Sequence, residues 1–419
     1  FVSTAAAQTG TVVSIAGDVN KDGIDDFLVG TYNTQGVFVI FGNGSGVLPN
    51  LNFETMVRGP NTGYKITPVG KGYRGGDVNG DGIQDILIAT TNYFAVVIYG
   101  RDSTATGAVV ADISINNWPT SETNGFRIYG AAADNAGSSL ACAGDVNEDG
   151  ADDVVMGASS AKPPNTAGGA DRTAAGIVYV IFGQKFGTGV YDVTLTDITG
   201  NYFAGFRILG AVTQDRLGMS SGAGDVNADG VQDVIVAANV ASRNGLNNCG
   251  VAYVVFGRRK TLGAASYSDI DLSVAAPSSS FFSITGAVSN SNTGFAVSDA
   301  GDLNGDGIAD VIIGAYQAFV PSPIRSGAGI VYVIFGRRGV GASTDILLSA
   351  IVTGSSLGFR LLGANVNDYT GRSVSSAGDV NGDGIDDVII GAYGAPVTVG
   401  AVFRSAAGAA YVIFGRNVS

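Results

Sequence analysis

Short apolar runs recur along the chain, separated by segments rich in Gly, Asn, Ser and Asp. Six of them follow an acidic nonapeptide: Phe27-Leu-Val-Gly30, Ile86-Leu-Ile-Ala89, Val154-Val-Met-Gly157, Val234-Ile-Val-Ala237, Val311-Ile-Ile-Gly314 and Val388-Ile-Ile-Gly391. A second run follows each and ends in an aromatic-Gly pair, at Phe41-Gly42, Tyr99-Gly100, Phe182-Gly183, Phe256-Gly257, Phe335-Gly336 and Phe414-Gly415. The runs are short and dominated by Val, Ile, Tyr and Phe, which predicts strands. No helix-length stretch carries a 3.6-residue period. The inner runs are apolar at successive positions, as in a strand buried on both faces. Small sheets stacked face to face around an axis bury their inner strands in this way. The prediction is an all-β chain, a β-propeller of four-stranded blades with one repeat per blade: six blades, with seven as the alternative. Strand A precedes the acidic loop, as at Ser373–Ala377, and the two runs are strands B and C. A weaker strand D is expected at Tyr191–Leu195 or Ser268–Leu272, ahead of a Gly-Phe-Arg segment at Gly125, Gly205 and Gly358. No Pro/Ser linker breaks the rhythm, so residues 1–419 read as a single propeller domain.

The nonapeptides span 18–26, 77–85, 145–153, 225–233, 302–310 and 379–387, at spacings of 59, 68, 80, 77 and 77 residues. Positions one, five and nine are Asp, position three is Asn, position six is Gly and position seven is apolar. Hard cations such as Ca²⁺ take six to eight oxygen ligands, and alternate positions of a tight loop can aim several oxygens at one centre. Gly at position six permits the positive φ of such a turn. Position seven would lend its backbone carbonyl while its side chain anchors in the core. An EF-hand opens with the same letters but needs a bidentate Glu at position twelve and flanking helices. Position twelve here is Val29, Ile88, Met156, Val236, Ile313 and Ile390, which excludes it. The metal-free alternative is an Asx-rich turn, and six copies with Asp at all three positions argue against it.

Charge bears on this reading. The eighteen Asp at positions one, five and nine are half of the 36 acidic residues, and six Ca²⁺ would take the net charge from −13 to −1. Without metal, three carboxylates crowd each turn. Mg²⁺ suits such loops less well because of its strict octahedral demand. The acidic balance argues against a nucleic-acid partner or an anionic membrane surface. No apolar stretch reaches the roughly 18 residues of a membrane-crossing helix, so direct membrane insertion is not expected. The chain contains no His. That removes Ser-His-Asp and Cys-His arrangements and imidazole zinc sites, and no enzyme is expected. Cys142 and Cys249 are either two buried thiols or one bridge between neighbouring units. The chain opens at Phe1 without Met or a signal-like segment, and reads as a processed chain or a fragment.

The six loops, the aromatic-Gly pairs and the Gly-Ala of Gly157-Ala158, Gly314-Ala315 and Gly391-Ala392 together resemble the FG-GAP repeats of the integrin α-subunit propeller. The resemblance covers essentially the whole chain. It implies loops that join strands A and B and bind Ca²⁺ on one face, about six ions per chain. Mapped residue by residue, the implied ligands of the first loop are Asp18, Asn20, Asp22, Ile24 through its carbonyl, and Asp26. The second loop supplies Asp77, Asn79, Asp81, Ile83 and Asp85, and the third Asp145, Asn147, Asp149, Ala151 and Asp153. The fourth supplies Asp225, Asn227, Asp229, Val231 and Asp233. The fifth supplies Asp302, Asn304, Asp306, Ile308 and Asp310, and the sixth Asp379, Asn381, Asp383, Ile385 and Asp387. Three features depart from the integrin pattern. There are six repeats against seven blades, every repeat carries an acidic loop, and the Pro of the name motif is replaced by Ser159, Asn239, Tyr316 or Tyr393.

The expected function is that of a calcium-binding extracellular propeller mediating adhesion or macromolecular interaction at a cell surface or matrix. The alternatives are a structural protomer of a filament or coat, and the non-catalytic propeller of a larger secreted hydrolase or lectin. Loops of this class saturate where calcium is abundant, roughly 10⁻⁴ to 10⁻³ M. Sequons at Asn43 and Asn417 suit a secreted glycoprotein. Phe1–Ala5 is expected to pair with the last blade and close the ring. The B–C connections are short in the first two repeats and long in the last four, at 159–176, 239–250, 316–329 and 393–408. They should emerge opposite the acidic loops and carry Arg172, Tyr316, Phe319, Arg325, Tyr393 and Arg404, types enriched at binding hot spots. A protein or glycan ligand is expected there, with self-assembly also open.

Overall fold

Each acidic loop joins two antiparallel strands, and the rest of each blade is built outward from that pair. The computed structural model describes residues 9–31, 36–43, 62–68, 70–90, 93–103, 111–164, 170–199, 204–259, 267–274, 280–339, 345–399 and 402–417. Blade one holds β1 (Thr9–Gly17), β2 (Asp26–Thr31), β3 (Val37–Ile40) and β4 (Gly63–Thr67). Blade two holds β5 (Gly70–Gly76), β6 (Asp85–Thr90), β7 (Phe94–Ile98) and, after the two-residue β8 (Ile113–Ser114), β9 (Gly125–Tyr129). Blade three holds β10 (Ala136–Gly144), β11 (Asp153–Ala158), β12 (Ile177–Ile181) and, after β13 (Val193–Thr194), β14 (Gly205–Leu209). Blade four holds β15 (Met219–Gly224), β16 (Asp233–Ala238), β17 (Val251–Val255) and, after β18 (Ile270–Asp271), β19 (Phe281–Thr285).

Blade five holds β20 (Ala296–Gly301) and β21 (Asp310–Ala315), a small hairpin of β22 (Val320–Pro321) and β23 (Ile324–Arg325), then β24 (Ile330–Ile334) and, after β25 (Ile346–Leu347), β26 (Gly358–Leu362). Blade six holds β27 (Thr370–Gly378) and β28 (Asp387–Ala392), a hairpin of β29 (Val397–Val399) and β30 (Val402–Arg404), and β31 (Ala409–Ile413). The architecture is an all-β, six-bladed propeller. No helix among the described residues is long and apolar enough to cross a membrane.

The fourth strand differs from its expected position. It is the Gly-Phe-Arg segment, which pairs over five residues with strand C, as Gly205–Leu209 does with Ile177–Ile181. The expected strand D instead supplies a two-residue parallel strand to the blade before it: β8 on β4, β13 on β9, β18 on β14 and β25 on β19. The reason is steric. The leading glycine lies so close to strand C that a Cβ on Gly205 would run into the Val180 carbonyl oxygen. A residue that reads as a turn is required here inside a ladder.

Strands B and C carry the core. Every residue of β11, β12, β16, β17, β21 and β24 is buried. Successive sheets pack on these faces, giving five apolar cores between blades one and two through five and six. At about 1.5–3 kcal/mol for each fully buried Val, Leu or Ile, this packing dominates stability. Phe1–Ala5, the expected closing strand, lies outside the described residues, and blade six has three described strands. Cys142 and Cys249 are both free thiols.

Candidate metal loops and the opposite face

The acidic loops repeat one hydrogen-bond pattern. The position-one carboxylate accepts the N–H groups of positions five and six, at 3.0 and 2.8 Å from Asp22 and Gly23 to Asp18. The other five loops match it. The position-five carboxylate accepts the position-seven N–H, at 2.9 Å from Ile24 to Asp22. In five loops the Asn oxygen of position three accepts the position-five N–H. Position four is left-handed as well as position six, with φ of 61° at Lys21, 57° at Glu148 and 58° at Ala228. Residue types hide this, because Gly fills position four in only three loops, at Gly80, Gly305 and Gly382.

Position nine behaves differently. Its carboxylate is buried and clamps the base of the loop. Asp153 accepts the Val146 N–H at 3.0 Å through one oxygen and the Gly183 N–H at 2.9 Å through the other. All six blades share this clamp to the aromatic-Gly pair, at Gly42, Gly100, Gly183, Gly257, Gly336 and Gly415. That explains the glycine. It presents its N–H where a Cβ would run into the position-eight carbonyl oxygen, such as that of Gln232 or Ala309. Burial pushes the Asp26 and Asp310 carboxyls up to about 7 and Asp233 up to about 8, against the pull of the two backbone N–H groups. Burial likewise holds Asp85 and Asp153 well above the usual carboxylate range, and the other loop carboxylates add to the effect.

The donor chemistry of each loop fits a hard cation: three carboxylates, one amide oxygen and a backbone carbonyl. Loop three adds an observation. Both polar atoms of the Asn147 side chain are buried without a hydrogen-bond partner, unlike Asn20 or Asn79, whose amides bond position five. A buried orphan amide oxygen calls for a partner. As placed, the loop oxygens are turned onto their own backbone amides. No group of three acidic side chains among the described residues stands close enough to hold an ion.

Strands B and C are antiparallel, so the B–C connections leave the end opposite the acidic loops. On that side, between blades five and six, aromatic rings gather round one guanidinium. Arg372 lies 4.0 Å from the ring centre of Phe295, 5.1 Å from Tyr316 and 5.9 Å from Tyr393. Tyr369 stacks on Tyr393 at 5.0 Å with planes 9° apart. Tyr316 and Tyr393 were expected on this face from the sequence. Phe295, Tyr369 and Arg372 were not, because the first two come from the D–A turns and Arg372 from the start of strand A, where no repeat signature marks them. Phe319 and Arg404 are exposed. Arg172 is not available for recognition, since it is buried and paired with Asp271 at 2.7 Å. Arg325 is also engaged, donating to the Gly363 carbonyl at 3.0 Å.

Comparison with known proteins points the same way. The model of the FG-GAP repeat matches residues 136–181, 296–334 and 370–413, strands A to C of blades three, five and six. A stretch of 233 residues is 29 % identical to phosphatidylinositol-glycan-specific phospholipase D of Bos taurus, covering 54 % of this chain and 24 % of that protein. A stretch of 279 residues is 26 % identical to integrin alpha pat-2 of Caenorhabditis briggsae, covering 65 % of this chain and 20 % of that protein. Integrin alpha-V of Gallus gallus is 28 % identical over 232 residues, 53 % of this chain and 19 % of that protein. The chain thus spans about a quarter or less of the length of these relatives. The matched repeats, the same loop clamp in the other three blades and the six-bladed architecture support an integrin-α-like FG-GAP-repeat propeller.

Proposed function

We propose that the chain is a calcium-binding, non-catalytic, extracellular propeller that mediates adhesion or another macromolecular interaction. The observation that carries this reading is the sixfold loop with Asp at positions one, five and nine, each built on the same clamp. Likeness to integrin α-subunits supports the adhesive role. The likeness to a phospholipase D is compatible with a non-catalytic part, since it covers 24 % of that enzyme and this chain has no His. Calcium would draw the loop carboxylates off their own amides and neutralise the charge that burial makes costly at position nine. The partner-binding role falls to the opposite face, at the Arg372 cluster and the exposed side chains beside it.

Two measurements test this. Metal analysis of the purified chain should find about six Ca²⁺, and chelation should lower its melting temperature. A calcium content near zero with unchanged melting in chelator would refute the metal role. Alanine changes at Tyr316, Tyr393 and Arg404 should weaken adhesion to cells or matrix without altering calcium content. Loss of adhesion only from changes on the loop face would move the binding site there.

A further inference from the structure

The six acidic loops share their ligand positions and differ at position eight, which is Asp25, Gln84, Asp152, Gln232, Ala309 and Asp386 in chain order. This residue reaches beyond its own loop. At each of the five interfaces between consecutive blades its side chain lies over the glycine that precedes the neighbouring loop: Gln84 over Gly17, Asp152 over Gly76, Gln232 over Gly144, Ala309 over Gly224 and Asp386 over Gly301. Where it is Asp at these interfaces, it also accepts the first N–H of that loop, from Asp77 to Asp152 at 2.8 Å and from Asp302 to Asp386 at 2.9 Å. One acid therefore lends its charge to two loops: Asp152 to loops two and three, Asp386 to loops five and six. Loop one carries Asp25 itself. Loop four has no such acid on either side, since its own position eight is Gln232 and the side chain across the interface is the methyl of Ala309.

Loop four also bears a cation. The Arg259 guanidinium donates to the Asp229 carbonyl at 3.0 Å and pairs with Glu148 of loop three at 3.0 Å. Lys185 stands in the corresponding place beside Gly150 of loop three, where Glu148 and Asp152 add two carboxylates to the three at positions one, five and nine. Loop four thus keeps three carboxylates with a guanidinium on its backbone, whereas loops two, five and six each gather four. Its backbone also holds the next blade, because the Asp225 and Val226 carbonyls accept the Ala309 and Arg337 N–H groups at 3.3 and 2.9 Å.

We infer that loop four is the weak calcium site of the propeller, the first to empty as calcium falls, and that its emptying loosens the interface between blades four and five. Asp152, Asp386 and Arg259 set this grading through their charge, without being ligands themselves. The inference rests on the reading of the loops as calcium sites, which the buried, unpartnered Asn147 amide supports separately. A unit charge near a divalent ion changes its affinity about threefold to fivefold in water, and less as salt screens it. Lacking one acid and carrying one cation, loop four should be half-filled at about tenfold higher calcium than loops two, five and six.

Calcium itself is the probe. Amide exchange of the full chain across a calcium titration reads each loop through positions five to seven, at Asp229–Val231 for loop four and at Asp81–Ile83, Asp306–Ile308 and Asp383–Ile385 for loops two, five and six. Loop four should respond at the higher calcium, and the Ala309 and Arg337 amides should exchange faster as it empties. Ala309→Asp sets a carboxylate where Asp152 meets Asp77, and should lower the loop-four midpoint about threefold. Arg259→Gln keeps a donor, removes the charge and should do the same. Both variants are expected to tighten binding, so damage to the fold cannot imitate the result. Loop four filling with or before the other loops would overturn the inference, as would an unmoved midpoint in either variant. Six ions that leave at one concentration would overturn it and spare the calcium reading. A chain that binds no calcium would overturn both.

Discussion

Replacing Asp233 by Ala separates the clamp from the metal site. The side chain is fully buried and accepts two backbone N–H bonds of 2.9 Å, from Val226 and Gly257. Removing it strands both donors inside the protein, at about 1–3 kcal/mol each. Against this, burial already pushes the carboxyl up to about 8, so part of its charged-state bonding is lost at neutral pH and its removal relieves a desolvation cost. The net loss should be on the order of 3 kcal/mol. Asp233→Asn keeps one acceptor oxygen and should cost about half as much. The control is Asp229→Ala at position five of the same loop, where the side chain is exposed and water can replace it. It should cost less than about 1 kcal/mol in chelator. Urea unfolding with chelator present reads all three, and amide exchange at Gly257 reports the clamp itself. Equal losses for Asp233→Ala and Asp229→Ala, or undisturbed exchange at Gly257, would refute the division of labour between the two positions.

Asp299 offers a pH test away from the loop ligands. Burial and the Asp386 charge raise its carboxyl while Arg74 lowers it, with a net value of about 6. An acid raised in the folded state favours folding when protonated, and that advantage fades as pH rises through 6. Asp299→Asn should therefore match the parent near pH 4 and exceed it in melting temperature at pH 7.5. Gly336→Ala places a Cβ against the Ala309 carbonyl oxygen and should cost about 1–3 kcal/mol in urea unfolding. Ala228→Gly relieves a left-handed alanine at φ 58° and should be stabilising by about 0.5 kcal/mol or more. The Cys142 thiol is pushed up to about 12 by burial, so alkylation at pH 8 should be negligible until the chain unfolds.

The repeat made most of the fold legible. Apolar runs set strands B and C, and the nonapeptides set the loop between A and B, because both signals depend on burial and turn chemistry that act within a few residues. The fourth strand was misplaced for a physical reason. Tyr191–Leu195 alternates like a strand, but only Val193 and Thr194 pair, and they pair with the preceding blade. The glycine that opens the true strand is needed by a contact with another strand, which no local rule reveals. In the loops, residue types named thirty candidate ligand positions but gave no sign that the position-nine carboxylate is engaged by two backbone N–H groups. Arg172 looked like a recognition residue because its partner, Asp271, lies 99 residues away. The Arg372 cluster was hidden for the same reason, its four rings coming from four separate turns.

The two-residue parallel strands bear on how the chain must be made. Blade two ends its fourth strand at Tyr129, yet the strand that covers it, Val193–Thr194, arrives 64 residues later. At a synthesis rate of about 5–20 residues per second, each sheet waits several seconds with a bare edge before its successor finishes it. A ribosome-bound chain therefore always carries one incomplete sheet at its growing end. Repeat boundaries are not assembly boundaries. Deleting one internal repeat removes its own blade and also uncovers the blade before it, so the chain should tolerate circular rearrangement better than excision.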